Sequence, residues 1–290
     1  MTNMDTYSDH LDVVNSVLSL AYNLESYPNH LFKAGYSISR IEPRFNVNGT
    51  LNPDILFTSP NRGLLCECKS GGQHIGPNLH RYSEITTRHL IEKGIDILKE
   101  PFILDVGIFG KRNLELLKDR LKKDGINYPQ VMIDEIIQRR YGDNFKDKKL
   151  KTFFNEPVAV YGQPLNILKF SVDRSDKKIA PFIFNSLIAW SVLGRKTFTP
   201  RELAENSIDT LWNSMDTKLQ QALTKKIKNF LRYCKSRELS AYLQNRDDVW
   251  TIEINDHWKS RKRFSEDCDK LIENLAQVSI WEYISNGDES

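Results

Sequence analysis

Two acidic residues and a lysine are spaced along this chain so that one hairpin would bring them to a point. Pro53-Asp54 is followed, after twelve intervening residues, by Glu67-Cys68-Lys69. The runs 54–58 and 63–69 are short and mostly apolar, as strands are. Ser59-Pro60-Asn61-Arg62 between them supplies residue types that reverse a chain, in a four-residue loop of common hairpin length. If Thr58 faces Gly63, stepping away from the loop on both strands makes Glu67 the partner of Asp54, with Cβ atoms roughly 4.5–5.5 Å apart. Strand side chains alternate, so Glu67 and Lys69 share one face while Cys66 and Cys68 take the other. Two adjacent carboxylates repel, and a divalent cation removes the conflict. Magnesium takes hard oxygen ligands, keeps several waters and is commonly held by one or two carboxylates plus substrate phosphate. Beside it, Lys69 would help activate a water or stabilise a pentacovalent phosphate. The chemistry these three residues suit is phosphodiester hydrolysis.

Pro-Asp, a hairpin, then Glu-x-Lys resembles the motif of the PD-(D/E)XK nuclease superfamily, mainly over residues 10–110. The resemblance implies that Asp54 and Glu67 bind Mg2+, with Mn2+ able to substitute, and that Lys69 is catalytic. It also implies an α/β fold with a restriction-endonuclease-like core, a mixed central sheet flanked by helices, built in the order helix, three strands, helix, strand. The sequence offers a helix over 10–26, a first strand within 33–47, a helix over 82–99 and an apolar strand over 102–109. Many members add an acidic residue from the first helix or first strand. Leu11, Val14, Leu18 and Ala21 follow the spacing of a buried helical stripe, and Glu25 falls next on it, so Glu25 is the expected third carboxylate. Glu42 is the alternative, although its arginine neighbours also account for it. Gln73, His74 and His80 lie just past the lysine in a Gly-rich turn, near enough to touch substrate, but a solvated loop explains them as well.

Composition bounds the rest. The 290 residues have room for two domains, and 40% hydrophobic content is that of a soluble globular chain. The first residues are polar and acidic, unlike a signal peptide, and no apolar run approaches the ~20 residues of a membrane span. Four cysteines, at 66, 68, 234 and 268, fit neither a zinc ribbon nor a disulfide framework. Free thiols in a reducing cytoplasm and no iron–sulfur cluster are expected.

Net charge is only +3, but it is unevenly spread. Residues 195–263 carry 15 Lys/Arg against 9 Asp/Glu, whereas residues 264–290 carry 1 against 7. Lys225, Lys228, Arg232 and Lys235 fall on one helical face, with Leu223, Ile227, Phe230, Leu231 and Cys234 opposite. No acidic residue interrupts 225–237, so this cationic face is a candidate DNA contact. An apolar helix over 181–193 ended by Gly194, a second helix opened by Thr199-Pro200-Arg201-Glu202, the basic helix, and a strand over 249–254 after a charged turn resemble a winged helix, whose third helix usually enters the major groove.

The expected organisation is therefore a nuclease core over 1–110, a region of open role over 111–180, a winged-helix-like domain over 181–263, and an acidic end over 264–290. Within 111–180, helices are expected over 114–121 and 131–140 and a strand over 165–172. The expected function is a Mg2+-dependent DNA endonuclease of restriction or mobile-element defence, acting as a homodimer where both strands are cut. A TnsA-like transposon-end nuclease with a partner protein is the alternative, and a DNA-binding regulator with a degenerate core is the non-enzymatic rival.

Overall fold

The computed structural model describes residues 10–70, 76, 78–111, 114–254 and 257–285, without the side chains of 209–210 and 276–285. The chain divides into two compact units. The first runs to Ile167 and also takes in Asn213–Asp216; the second comprises Leu168–Trp212 and the chain from Thr217 onward.

In the first unit, α1 (His10–Ser19) and α2 (His30–Ala34) precede β1 (Ser37–Ile41), and the small hairpin β2 (Phe45–Asn46) and β3 (Thr50–Leu51) precedes β4 (Ile55–Ser59) and β5 (Arg62–Lys69). A 3-10 turn at Leu79–Glu84 and α3 (Thr87–Glu92) lead to β6 (Ile103–Gly110) and α4 (Leu114–Lys123). The chain continues through β7 (Gln130–Ile133), β8 (Ile136–Tyr141), α5 (Lys148–Asn155) and β9 (Val158–Ala159). One mixed seven-stranded sheet results, ordered β1-β4-β5-β6-β7-β8-β9, antiparallel except at β5/β6 and β6/β7. β5 lies inside this sheet, and six consecutive residues, Gly63–Cys68, are buried. That explains its near-continuous apolar run, since a strand covered on both faces cannot alternate with polar residues. α1 packs on β5, β6 and β7 and is buried almost all round. Gly110 lets β6 approach the end of β5: a Cβ there would lie 2.9 Å from the Lys69 carbonyl oxygen.

A buried polar cluster fastens the far end of these strands. Arg62 reaches Asp147 at 2.9 Å, Tyr36 donates to the same carboxylate at 2.9 Å, and Asp147 in turn caps α5 by accepting from the Lys149 amide. Asp105 accepts from the amides of Lys146 and Asp147. Each buried charge is thus paired or hydrogen-bonded, as burial requires.

Several expectations are corrected. α1 stops at Ser19, not near residue 26: the amides of Leu20, Ala21 and Tyr22 reach back only three residues, and the Leu20 carbonyl accepts from the Phe32 amide at 3.0 Å. The helix expected over 82–99 is only α3. It restarts at a Thr86/His89 capping box and ends at Gly94 with φ +71°, a left-handed conformation that suits glycine. Residues 131–140 form the β7–β8 hairpin instead of a helix, in keeping with the β-branched Val131, Ile133, Ile136 and Ile137. Residues 165–172 form no strand. The region of open role over 111–180 contributes β7, β8 and β9 to the central sheet.

The second unit is mainly helical: α6 (Asp176–Val192), β10 (Thr197–Phe198), α7 (Pro200–Ile208), α8 (Thr217–Lys235), β11 (Leu243–Arg246), β12 (Val249–Ile252) and α9 (Trp258–Ser285). The strands pair in the order β10-β12-β11. Gly194, at φ +74°, follows α6, and a Thr199/Glu202 capping box opens α7. The apolar face of α8, including Leu223, Ile227, Phe230, Leu231 and Cys234, is buried, and Phe230 packs on Phe184 of α6. None of the described helices is long and apolar enough to cross a membrane.

Candidate active site

The β4–β5 hairpin pairs Thr58 with Gly63 and Ile55 with Cys66. Ser59 also pairs with Arg62, so the reversal uses only Pro60-Asn61, two residues fewer than the loop expected; the register is unaffected. One step beyond Ile55, the Asp54 amide donates at 3.0 Å to the carbonyl of Cys66, the residue that Ile55 pairs with, so Asp54 lies against Cys66 and the expected Asp54–Glu67 pairing is not among the strand pairs. On the other side of β4, the Glu42 amide donates to the Asp54 carbonyl at 2.7 Å, one step beyond the Ile41–Ile55 pair. The backbones of Glu42 and Asp54 therefore share one rung of the sheet. Glu42 adopts φ +47°, an uncommon conformation for a residue with a Cβ.

The side chains of Asp54 and Glu67 are closely held. Asp54 Oδ2 accepts from the Cys68 amide at 2.5 Å, and its Oδ1 lies 3.4 Å from Nε2 of His10, the first described residue of α1. Glu67 Oε1 accepts from Lys69 Nζ at 2.6 Å, and Oε2 accepts from the Tyr82 hydroxyl at 2.8 Å. Glu67 is only 9% exposed. Burial, and next the charge of Asp54, push its carboxyl up to about 7, against the opposing pull of Lys69 and Tyr82. The His10 imidazole is shifted upward, chiefly by its interaction with Asp54 and then by the charges of Asp54 and Glu67; burial and Lys69 act the other way. Cys66 and Cys68 are buried, and burial raises both thiols.

This donor set fits a small hard cation. Among the described residues each carboxylate oxygen has one protein neighbour and two lone pairs, so acceptor capacity remains. Among the described residues, no three His, Cys, Asp or Glu side chains form a ready-made metal cage. Magnesium does not need one, since water and substrate phosphate complete its shell.

The structure thus brings Asp54, Glu67 and Lys69 together and leaves Glu25 out. Glu25 is exposed in a bend after α1 has ended, so the buried stripe does not reach it. His80 is exposed in the 3-10 turn, where its carbonyl accepts from Tyr128. Gln73 and His74 lie outside the described residues. His10 and Tyr82 join the site without having been singled out by the motif. His10 stands four residues before Val14 and eight before Leu18, on the same stripe read toward its start.

In the second unit, Lys225 and Arg232 are exposed on α8, whereas Lys228 pairs with Asp248 and Lys235 donates to Asn245 at 2.9 Å. Two of the four cations are therefore engaged with the β11–β12 hairpin.

The family model of the MJECL32 domain matches residues 9–160, just over half of the chain. The chain belongs to the MJECL32 domain family. The MJECL32 match spans every strand of the seven-stranded sheet and takes in His10, Asp54, Glu67, Lys69 and Tyr82, while α6–α9 lie beyond it. No curated protein and no solved structure matches the chain.

Proposed function

We propose that this MJECL32 domain is a metal-dependent DNA endonuclease with a restriction-endonuclease-like core. The observation that carries the reading is the buried Glu67 carboxylate, bonded to Lys69 and close enough to feel the charge of Asp54. With the short α2, the β2–β3 hairpin and the 3-10 turn set aside, the order α1, β1, β4, β5, α3, β6 supports it, since that is the helix, three strands, helix and strand of the PD-(D/E)XK resemblance. Asp54 and Glu67 would hold Mg2+ or Mn2+, which supplies Lewis-acid polarisation of a phosphoryl oxygen and lowers the pKa of a bound water. Lys69 Nζ lies 2.6 Å from Glu67, and from there would face the charge that develops on phosphorus. Tyr82 and the Cys68 amide fix the two carboxylates, so that neither must reorganise during the reaction.

The second unit would hold the substrate. Its sequence of elements, α6, β10, α7, α8, β11 and β12, is similar to a winged helix, and Lys225 and Arg232 give α8 an exposed cationic face for phosphates.

The experiment is a plasmid-nicking assay with Mg2+, Mn2+ or EDTA. Nicking with either ion, lost in EDTA and lost by at least about a hundredfold in Asp54→Asn and Lys69→Ala proteins that keep wild-type circular dichroism, is the expected result. Cleavage that persists in those variants would assign it to a contaminant or another site.

A further inference from the structure

We propose that a recess in the first unit takes a single nucleobase carrying an exocyclic amine, from a free nucleotide or from a base turned out of the substrate strand. The second source rests on the nuclease reading above; the recess itself does not.

The recess, of about 640 Å3, opens where the chain enters β6 and β7 and leaves β8. That volume lies within the roughly 300–1,000 Å3 of small-molecule sites. Backbone geometry draws its walls together. Gly142, at φ +74°, follows β8, and a Cβ there would collide with the Tyr128 carbonyl. The Asp143 amide then donates to the Asn127 carbonyl at 2.7 Å, which brings these two residues to one side of the recess.

Aromatic side chains and polar groups divide the lining between them. Phe102 and Tyr128, both half-buried, and the buried Tyr82 supply ring surface, on which a base can stack. Tyr128 is held in place, because its hydroxyl donates to the His80 carbonyl at 2.8 Å and accepts from the Ser83 amide at 3.0 Å. Asn127 and Asp143 are exposed, and neither side chain has a partner among the described residues. Asp105, also in the lining, is only 3% exposed. Its two oxygens accept from the Lys146 and Asp147 amides at 2.8 and 2.9 Å, and each keeps a lone pair.

Ionised carboxylates accept and cannot donate, so the ligand edge must offer N–H groups, while the Asn127 amide serves a neighbouring donor or acceptor. Adenine, cytosine and guanine carry such an amine. Thymine and uracil turn carbonyl oxygens toward the same groups and keep one N–H. Lys146 is exposed, and with one N–H on the Leu104 carbonyl at 3.2 Å it retains two for a phosphate. Tyr82 ties the recess to the candidate active site: it lines the one while its hydroxyl bonds Glu67 of the other. Base and carboxylate would stand at the two ends of one side chain.

The test uses the intact protein in EDTA, so that cleavage is never read. Calorimetry is run with dAMP, dCMP, dGMP and TMP. A DNA duplex with 2-aminopurine, itself an amine-bearing base, in place of adenine reports unstacking by fluorescence. The amine-bearing nucleotides should bind roughly tenfold tighter than TMP, and Asn127→Ala and Asp143→Ala, with wild-type circular dichroism, should each lose roughly tenfold. A fluorescence rise that both variants abolish assigns the base to DNA; nucleotide binding without a rise assigns it to a free nucleotide. Equal binding of all four nucleotides, binding indifferent to both substitutions, or neither signal at all would overturn the proposal. A protein that nicks plasmid but gives neither signal refutes the recess alone, and one that binds the nucleotides but never nicks refutes the nuclease reading alone.

Discussion

Tyr82, from a 3-10 turn, donates its hydroxyl to Glu67 Oε2 at 2.8 Å, and so holds the one oxygen of that carboxylate that Lys69 does not. An unsatisfied buried acceptor costs about 1–3 kcal/mol, more when charged. Tyr82→Phe should lower cleavage by about tenfold or more without unfolding the protein. Removing a donor to the ionised form raises the Glu67 carboxyl further, so the acid limb of the pH–rate profile should move to higher pH. An unshifted limb would show that Tyr82 only packs.

The same carboxylate makes a stability prediction. Glu67 titrates near 7 in the folded chain against an ordinary value of 4.5, so the folded state retains a proton that the unfolded state releases between these values. Stability therefore falls as pH rises through that window. In EDTA, the wild type should lose about 2 kcal/mol relative to Glu67→Gln between pH 5 and 8, read from paired urea titrations. A flat difference would mean that the charge is compensated without metal.

His30 acts with the opposite sign. It is 5% exposed, its Nε2 has no hydrogen-bond partner among the described residues, and it packs against Phe153 and Phe154. Burial lowers it from 6.5 to about 4. The unfolded state then binds a proton that the folded state refuses, and stability should fall by about 2 kcal/mol as pH drops from 7.5 to 5. His30→Leu should flatten that dependence in the same denaturation assay.

On α8, the exposed Lys225 and Arg232 should carry most of any phosphate contact. Lys225→Gln with Arg232→Gln should reduce the slope of log K against log salt by about 2, at roughly 0.9 per phosphate. Lys228→Gln should change it less, because Asp248 already neutralises that lysine. Fluorescence anisotropy across a salt series separates the two variants.

The β4–β5 hairpin is legible in the sequence because its signals are local: two apolar runs, turn residues between them, and a register that follows from counting. The loop length escapes, since Ser59 and Arg62 pair as well, and so does the end of the register, where the Asp54 amide bonds to Cys66 instead of pairing Asp54 with Glu67. What distant contacts decide leaves no such mark. Helical spacing runs on through Ala21 to Glu25, but the Leu20 carbonyl is claimed by Phe32, twelve residues away, and the spacing carries no trace of that. The β7–β8 hairpin passes for a helix because its turn, Asp134-Glu135, lacks glycine, proline or asparagine, leaving Asp134 and the β-branched residues as the available signals. His10 is legible in principle, on the stripe that points to Glu25 when followed the other way.

The stretch Asn213–Asp216 belongs with the first unit although the chain around it does not. Met215 bridges to Ile41, the Asp216 amide donates to the Ile41 carbonyl at 3.2 Å, and the Asp216 carboxylate lies 3.9 Å from both Arg44 and Lys93. An excised fragment ending at Ile167 would contain the whole span matched by the family and still be incomplete. It would strip a bonding partner from the residue that precedes Glu42 and take away a carboxylate shared by two cations. Dissection of this protein should therefore keep residues 213–216, by circular permutation or by a short graft, or the isolated domain will be judged by a site whose flank has been cut away.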